Sequence, residues 1–204
     1  MVLFGGTPTS GSNLLPETWE WDGSSAGSWS QRATTGPARK DPAMAYDAAR
    51  GRTILFGGRI GTTTQNDTWA WDGAAWTQLF PANSPPPRYS AGMVYDAARS
   101  VIVLGAGLSG SATYTDTWEW DGSDWALRSA ALPGLGGPAA YDAVRQRVVG
   151  YQSVSPGWTL VEWDGSNWNP RPTTNLSQVS GFLIFDPRLS TLTAVGYSSS
   201  GGTA

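Results

Sequence analysis

The chain has 204 residues, 40% hydrophobic and only 14% charged, with 26 Gly, 14 Pro and 12 Trp, the composition of one turn-dense, aromatic-rich β domain with ample chain to bury a core. A net charge of −3 and a pI near 4.8 leave no basic footprint, so nucleic acid is not an expected partner. Cysteine and histidine are both absent, which removes disulfides, thiol nucleophiles, thiolate metal sites, the commonest general base and the commonest transition-metal ligand.

No run of about 20 apolar residues suits a membrane span, so membrane insertion is not expected. Met1–Gly6 lacks the basic start and the length of a signal peptide, and the compartment stays unknown from the chain itself.

Taken in order, Met1–Gly6 reads as a strand, here called b, with later copies at 53–58, 101–105, 147–150 and 192–196. A hairpin follows each of the first four. In Asn66–Trp76, Trp69 and Trp71 are two apart and share a strand face, Asp72-Gly73 supplies the turn, and Trp76 opens the return strand. These strands c and d centre on Trp21, Trp71, Trp120 and Trp163, spaced by 50, 49 and 43 residues. Strand a precedes each later b and is marked by Tyr46-Asp47, Tyr95-Asp96, Tyr141-Asp142 and Phe185-Asp186, spaced by 49, 46 and 44. Four short strands per period of 43 to 50 residues is the signature of propeller blades, and the predicted fold is an all-β propeller of four-stranded antiparallel blades in a single domain over 1–204.

Gly57-Gly58, the Asn66-Asp67-Thr68-Trp69 step, Trp71-Asp72, and Pro85-Pro86-Pro87-Arg88 ahead of Tyr95-Asp96 resemble the kelch repeat, in the type of propeller that forms the central domain of galactose-oxidase-like proteins. The likeness covers essentially the whole chain. It departs at Ala91 and Pro42, where kelch repeats often carry His, at Val161 in the position of Trp19, Trp69 and Trp118, and at Ala106 and Tyr151, read as the second residue of the Gly pair. The resemblance implies six or seven blades, an extracellular or periplasmic setting, and either an interaction module or the propeller part of a carbohydrate-active or oxidase-type enzyme. Copper radical chemistry of that family needs His and Cys, so any catalytic residues would lie outside this chain. The sequence supplies 17 strands (five b, four each of a, c and d), whereas a closed four-bladed ring needs 16. The expectation is a piece of a longer propeller, prone to self-association through its open terminal strands.

Several motifs dissolve on inspection. Gly105–Gly110 matches the dinucleotide fingerprint, but a loop and a strand follow where a helix is required. Asp67, Asp116 and Glu17 read as acceptors for loop backbone N–H groups before strand c. Asp47, Asp96 and Asp142 with Arg50, Arg99 and Arg145 read as a–b turns with surface pairs. Eleven of the 12 Trp sit in register and therefore read as core filling between blades. No cofactor, metal or catalytic residue is expected.

The b–c segments (7–16, 59–65, 108–115, 152–157) and the d–a segments differ in every repeat and should emerge together on one face, opposite the short a–b and c–d turns. Variable loops on a repeated scaffold are where recognition is usually placed. The candidate ligand-binding residues are Arg59, Tyr114 and Trp158, each large and unmatched in other repeats, and the expected partner is a protein or a glycan.

Overall fold

The computed structural model describes residues 1–6, 14–24, 26–129, 139–154, 157–171, 180–186 and 188–197, and residues 153–154, 157–158, 180–182 and 194–197 by backbone alone. Among these residues there is no helix. The first sheet holds β1 (Val2–Phe4), β2 (Thr18–Trp21) and β3 (Trp29–Ala33). The second is β4 (Ala43–Asp47), β5 (Arg52–Phe56), β8 (Thr68–Trp71) and β9 (Trp76–Leu79), with a small hairpin of β6 (Arg59–Ile60) and β7 (Thr63–Thr64) inserted. The third repeats this plan with β10 (Gly92–Asp96), β11 (Val101–Gly105), β14 (Thr117–Trp120) and β15 (Trp125–Ser129), and with β12 (Leu108–Ser109) paired to β13 (Ala112–Thr113). The fourth is β16 (Ala139–Asp142), β17 (Arg147–Val154), β18 (Gly157–Trp163) and β19 (Trp168–Arg171). A pair, β20 (Ser180–Asp186) and β21 (Thr191–Tyr197), ends the array.

Every pairing is antiparallel, and consecutive strands neighbour one another as in a meander. Apart from the two inserted hairpins, the described strands follow the predicted order b–c–d, three rounds of a–b–c–d, then a–b. Strands a of successive sheets lie side by side, β4 by β10, β10 by β16 and β16 by β20.

Two details differ from the sequence reading. The second, third and fourth b–c segments are not plain loops, and most of the first (7–13) lies outside the described residues. Gly61 and Gly110, at φ 60° and 58°, take the first central position of two-residue turns, a place that β-hairpins give to glycine. In the fourth sheet the ladder runs on to Ser153↔Trp158 and Val154↔Gly157. The Gly pair is also shifted. Asp47 pairs Arg52 as Asp96 pairs Val101, so Gly57-Gly58 corresponds to Ala106-Gly107, and Tyr151 falls at the position of Phe56. Ala106 holds the left-handed φ of 57° that Gly57 adopts at 65°.

The core lies between sheets, and the repeated tryptophans build it. The second and third Trp of each hairpin pack on each other, with centroids 5.4–5.6 Å apart in the second, third and fourth sheets. The third Trp then crosses to the preceding sheet. Trp76, Trp125 and Trp168 donate their indole N–H to Thr18, Thr68 and Thr117 Oγ1 at 2.8, 2.9 and 2.8 Å. Trp125 is 1% exposed and meets Phe56 edge-on. A ring with one N–H can be buried at little cost only if that N–H finds a partner, and the threonine that opens each strand c provides it. In the fourth sheet Leu160 replaces that threonine, and its side chain offers no acceptor.

Candidate functional site

The b–c and d–a segments meet as the meander requires. Lys40 forms a two-bond bridge with Arg59, and Tyr89 does the same with Leu108. Beneath each bridge sits a buried arginine from the d–a segment. Arg88 is fully buried and donates to Pro86 O, Ala106 O and both carboxylate oxygens of Asp116, at 2.6 and 2.9 Å. Arg39 repeats the arrangement with Pro37 O, Gly57 O and Asp67. The same two aspartates take the indole N–H of Trp118 and Trp69. A bidentate guanidinium–carboxylate pair that also satisfies two carbonyls is the geometry in which a buried arginine is tolerated.

The sequence reading of Asp67 and Asp116 as acceptors for backbone N–H groups lacked their side-chain partners, arginine and tryptophan. Burial pushes their carboxyls up, but the hydrogen bonds and charge of Arg39 or Arg88 and the indole N–H outweigh it and hold both below the ordinary value. The fourth repeat has Thr159 at the acidic position and Gly134 at the arginine position, so both partners are lost together.

Two of the three candidate residues are engaged in this framework. Arg59 pairs with Asp41 at 2.6 and 2.9 Å and lies 4.3 Å over the ring of Tyr89, so it ties the second sheet to the third. Tyr114 is half-buried, with the guanidinium of Arg88 4.3 Å over its ring. Neither lines the clefts described below. Trp158 has its backbone paired opposite Ser153 in β18, and its side chain lies outside the described residues. Sequence reasoning missed Phe80, 84% exposed beside the second d–a segment, and Ile60 and Leu108 on the two small hairpins. Phe80 was findable, because the other repeats have Ala33, Ser129 and Pro172 at its position.

Where the outer hairpin of one sheet faces the d–a segment of the preceding one, a cleft opens, and it recurs. One of about 360 Å³ is lined by Trp118, Trp125, Leu127, Asp124 and Asn83, and another of about 280 Å³ by Trp69, Trp76 and Thr35. Asp124 accepts from Asn83 N and Nδ2 at 2.8 and 2.7 Å. The two faces inferred from the meander are therefore joined at the outer edge, because a c–d turn touches a d–a segment there.

On the a–b side the acids of the expected surface pairs are buried, while their arginines are half-exposed. Asp47, Asp96 and Asp142 are enclosed by the sheets and accept from the amides of their own turns. Arg99 links Asp96 to Glu119, and Arg145 links Asp142 to Glu162. Tyr95 and Tyr141 carry this across sheets, accepting the amides of Ala49 and Ala98. Among the described residues no three His, Cys, Asp or Glu side chains come together as a metal-ligand group. No protein-family model matches the chain, and no curated protein matches it.

Proposed function

We propose that this chain is a non-enzymatic interaction module, a kelch-like β-propeller array that presents its b–c and d–a segments to a protein or glycan partner. The supporting observation is a contrast within each loop. The base is clamped by a buried Arg39 or Arg88 network, while the small hairpins above it carry exposed side chains that change between repeats, Ile60 in one and Leu108 in the next. A rigid base with a variable tip lowers the ordering cost of binding and lets side chains set selectivity. The Trp-lined clefts beside these loops combine an aromatic ring with a carboxylate and an amide in one of them, which suits a sugar ring and its hydroxyls.

The test is binding on glycan and peptide arrays, followed by titration of any hit against Arg59→Ala, Tyr114→Ala, Trp158→Ala and Phe80→Ala. Val144→Ala and Arg52→Ala, on the a–b side, serve as controls. Loss of about tenfold or more in affinity for at least one loop variant, with both controls unchanged, is the expected result. Controls that abolish binding while all four loop variants keep it would place recognition on the opposite face.

A further inference from the structure

The two ends of the sheet array are open in complementary ways. Among the described residues, β1 and β21 each have one edge with no partner strand. Both are b strands, and the ladders place Val195 of β21 where Phe4 stands in β1 and Phe56 in β5. In front of β4, where an inner strand for the first sheet belongs, is an open cleft of about 510 Å³ lined by Val2, Glu20, Trp21, Met44 and Tyr46.

The polar groups at the two ends match as well. Glu20 and Glu119 each accept, through Oε1, the indole N–H of the second Trp of the next sheet, Trp71 and Trp163, at 2.9 Å. Glu162 is the residue in that position on the fourth sheet. It is 7% exposed, and no hydrogen bond of acceptable geometry reaches its Oε1, although Arg145 Nη1 lies 2.7 Å away as an ion-pair neighbour. Trp21 occupies the position of Trp71 and Trp163, and its neighbour Trp29 is 42% exposed. Tyr46 is exposed, whereas the equivalent Tyr95 and Tyr141 hydroxyls accept a turn amide of the preceding sheet. In β20–β21 the amide in that register is Arg188, which bonds Asp186 as Ala98 bonds Asp96.

We propose that a second copy of this chain closes these openings: the β20–β21 hairpin of one copy joins the first sheet of another, β21 taking the place of β1 on β2 and β20 filling the cleft in front of β4. The joint sheet β20–β21–β2–β3 has the a–b–c–d order of the complete sheets. It brings Trp21 of the second copy onto Glu162 Oε1 and the Tyr46 hydroxyl of the second copy onto the Arg188 amide. The exchange replaces a three-residue b strand by a seven-residue one, so the ladder on β2 is kept. Such a contact is head-to-tail: one copy keeps its β1–β3 end free and the other its β20–β21 end, so the pair retains one free surface of each kind.

The experiment is sedimentation velocity on the wild type, Glu162→Leu and Trp29→Arg, with near-ultraviolet circular dichroism and thermal melts to show that each remains folded. Trp29 is on the edge sheet, so its variant keeps the fold if Glu162→Leu does not. The wild type is expected to associate beyond the dimer between about 1 and 100 μM, and each variant to lose about tenfold or more in association constant. Mixed in equal amounts, the two variants should form a one-to-one complex and stop, because together they own one intact contact. A wild type that stays monomeric over that range, as it would if β21 closed on β2 of its own chain, overturns the proposal. So do variants that associate like the wild type, or a mixture that recovers nothing.

Discussion

The junction between the second and third sheets and the junction between the third and fourth are built from the same strands, yet one is apolar where the other is ionic. At the second of them Glu119, almost completely buried, accepts from Trp163, from Arg128 three residues after the third Trp, and from Arg99. The first sheet has the same set in Glu20, Trp71 and Arg32. At the first junction Ala70 replaces the glutamate and Leu79 replaces the arginine, and both pack into the apolar cluster with Phe56 and Trp125. Trp120 is left with a buried N–H that has no partner. Acid and cation are thus kept or lost as a unit. Replacing a whole buried ion pair by apolar residues is often close to neutral, whereas removing one member strands a charge. The repeats follow that arithmetic.

Half-changes should therefore be the most damaging. Glu119→Ala takes the acceptor from the buried Trp163 N–H and the partner from the half-exposed Arg128, and is expected to cost about 2–3 kcal/mol by denaturant unfolding. Ala70→Glu alone should destabilise by a similar amount, and Leu79→Arg added to it should restore at least about 1 kcal/mol. If Ala70→Glu alone is neutral, the second sheet is more open to water than its burial indicates.

A smaller effect separates two chemically identical changes. Trp163→Phe and Trp120→Phe remove the same ring volume, but only the first breaks a hydrogen bond. Trp163→Phe should be worse by about 1–3 kcal/mol. Equal losses in both would mean that the Glu119–Trp163 bond contributes nothing beyond shape.

The smallest effect is with pH. Asp67 and Asp116 are held below the ordinary carboxylate value in the folded state, so the stability they give is present above about pH 4, near the unfolded value, and is lost as pH falls through the lower folded values. Asp22, lowered to about 2 by the amides of Ser24 and Ser28, behaves the same way over the window down to about pH 2. Melting curves of Asp116→Asn between pH 5 and pH 2 should show a shallower acid limb than the wild type, and an unchanged slope would contradict the pairing with Arg88.

The strand plan was legible in the sequence because Trp-Asp-Gly and Tyr/Phe-Asp recur every 43 to 50 residues, and a two-residue period fixes which side chains share a face. The turn role of Asp72, Asp121 and Asp164 was legible for the same reason, and each accepts from the amides two and three residues on. The partners of the acids were not. Arg88 meets Asp116 and Trp163 meets Glu119 across 28 and 44 residues, and alternation along a strand says nothing about what the next sheet brings. The joint absence of Glu and Arg at Ala70 and Leu79 was a readable trace of that contact. The candidate site was legible only as a region, since unmatched size marked Arg59 and Tyr114 without showing that Asp41, Tyr89 and Arg88 hold them.

The central claim is that each buried glutamate and its arginine form one unit with the next sheet's tryptophan, and a double-mutant cycle on the third sheet tests it most directly. Unfolding free energies of wild type, Glu119→Ala, Arg128→Leu and the double variant would be compared, the double variant having the side chains that the second sheet uses naturally. The predicted result is a coupling of about 1–3 kcal/mol, with the double variant more stable than Glu119→Ala alone. A double variant whose loss equals or exceeds the sum of the two single losses would contradict it.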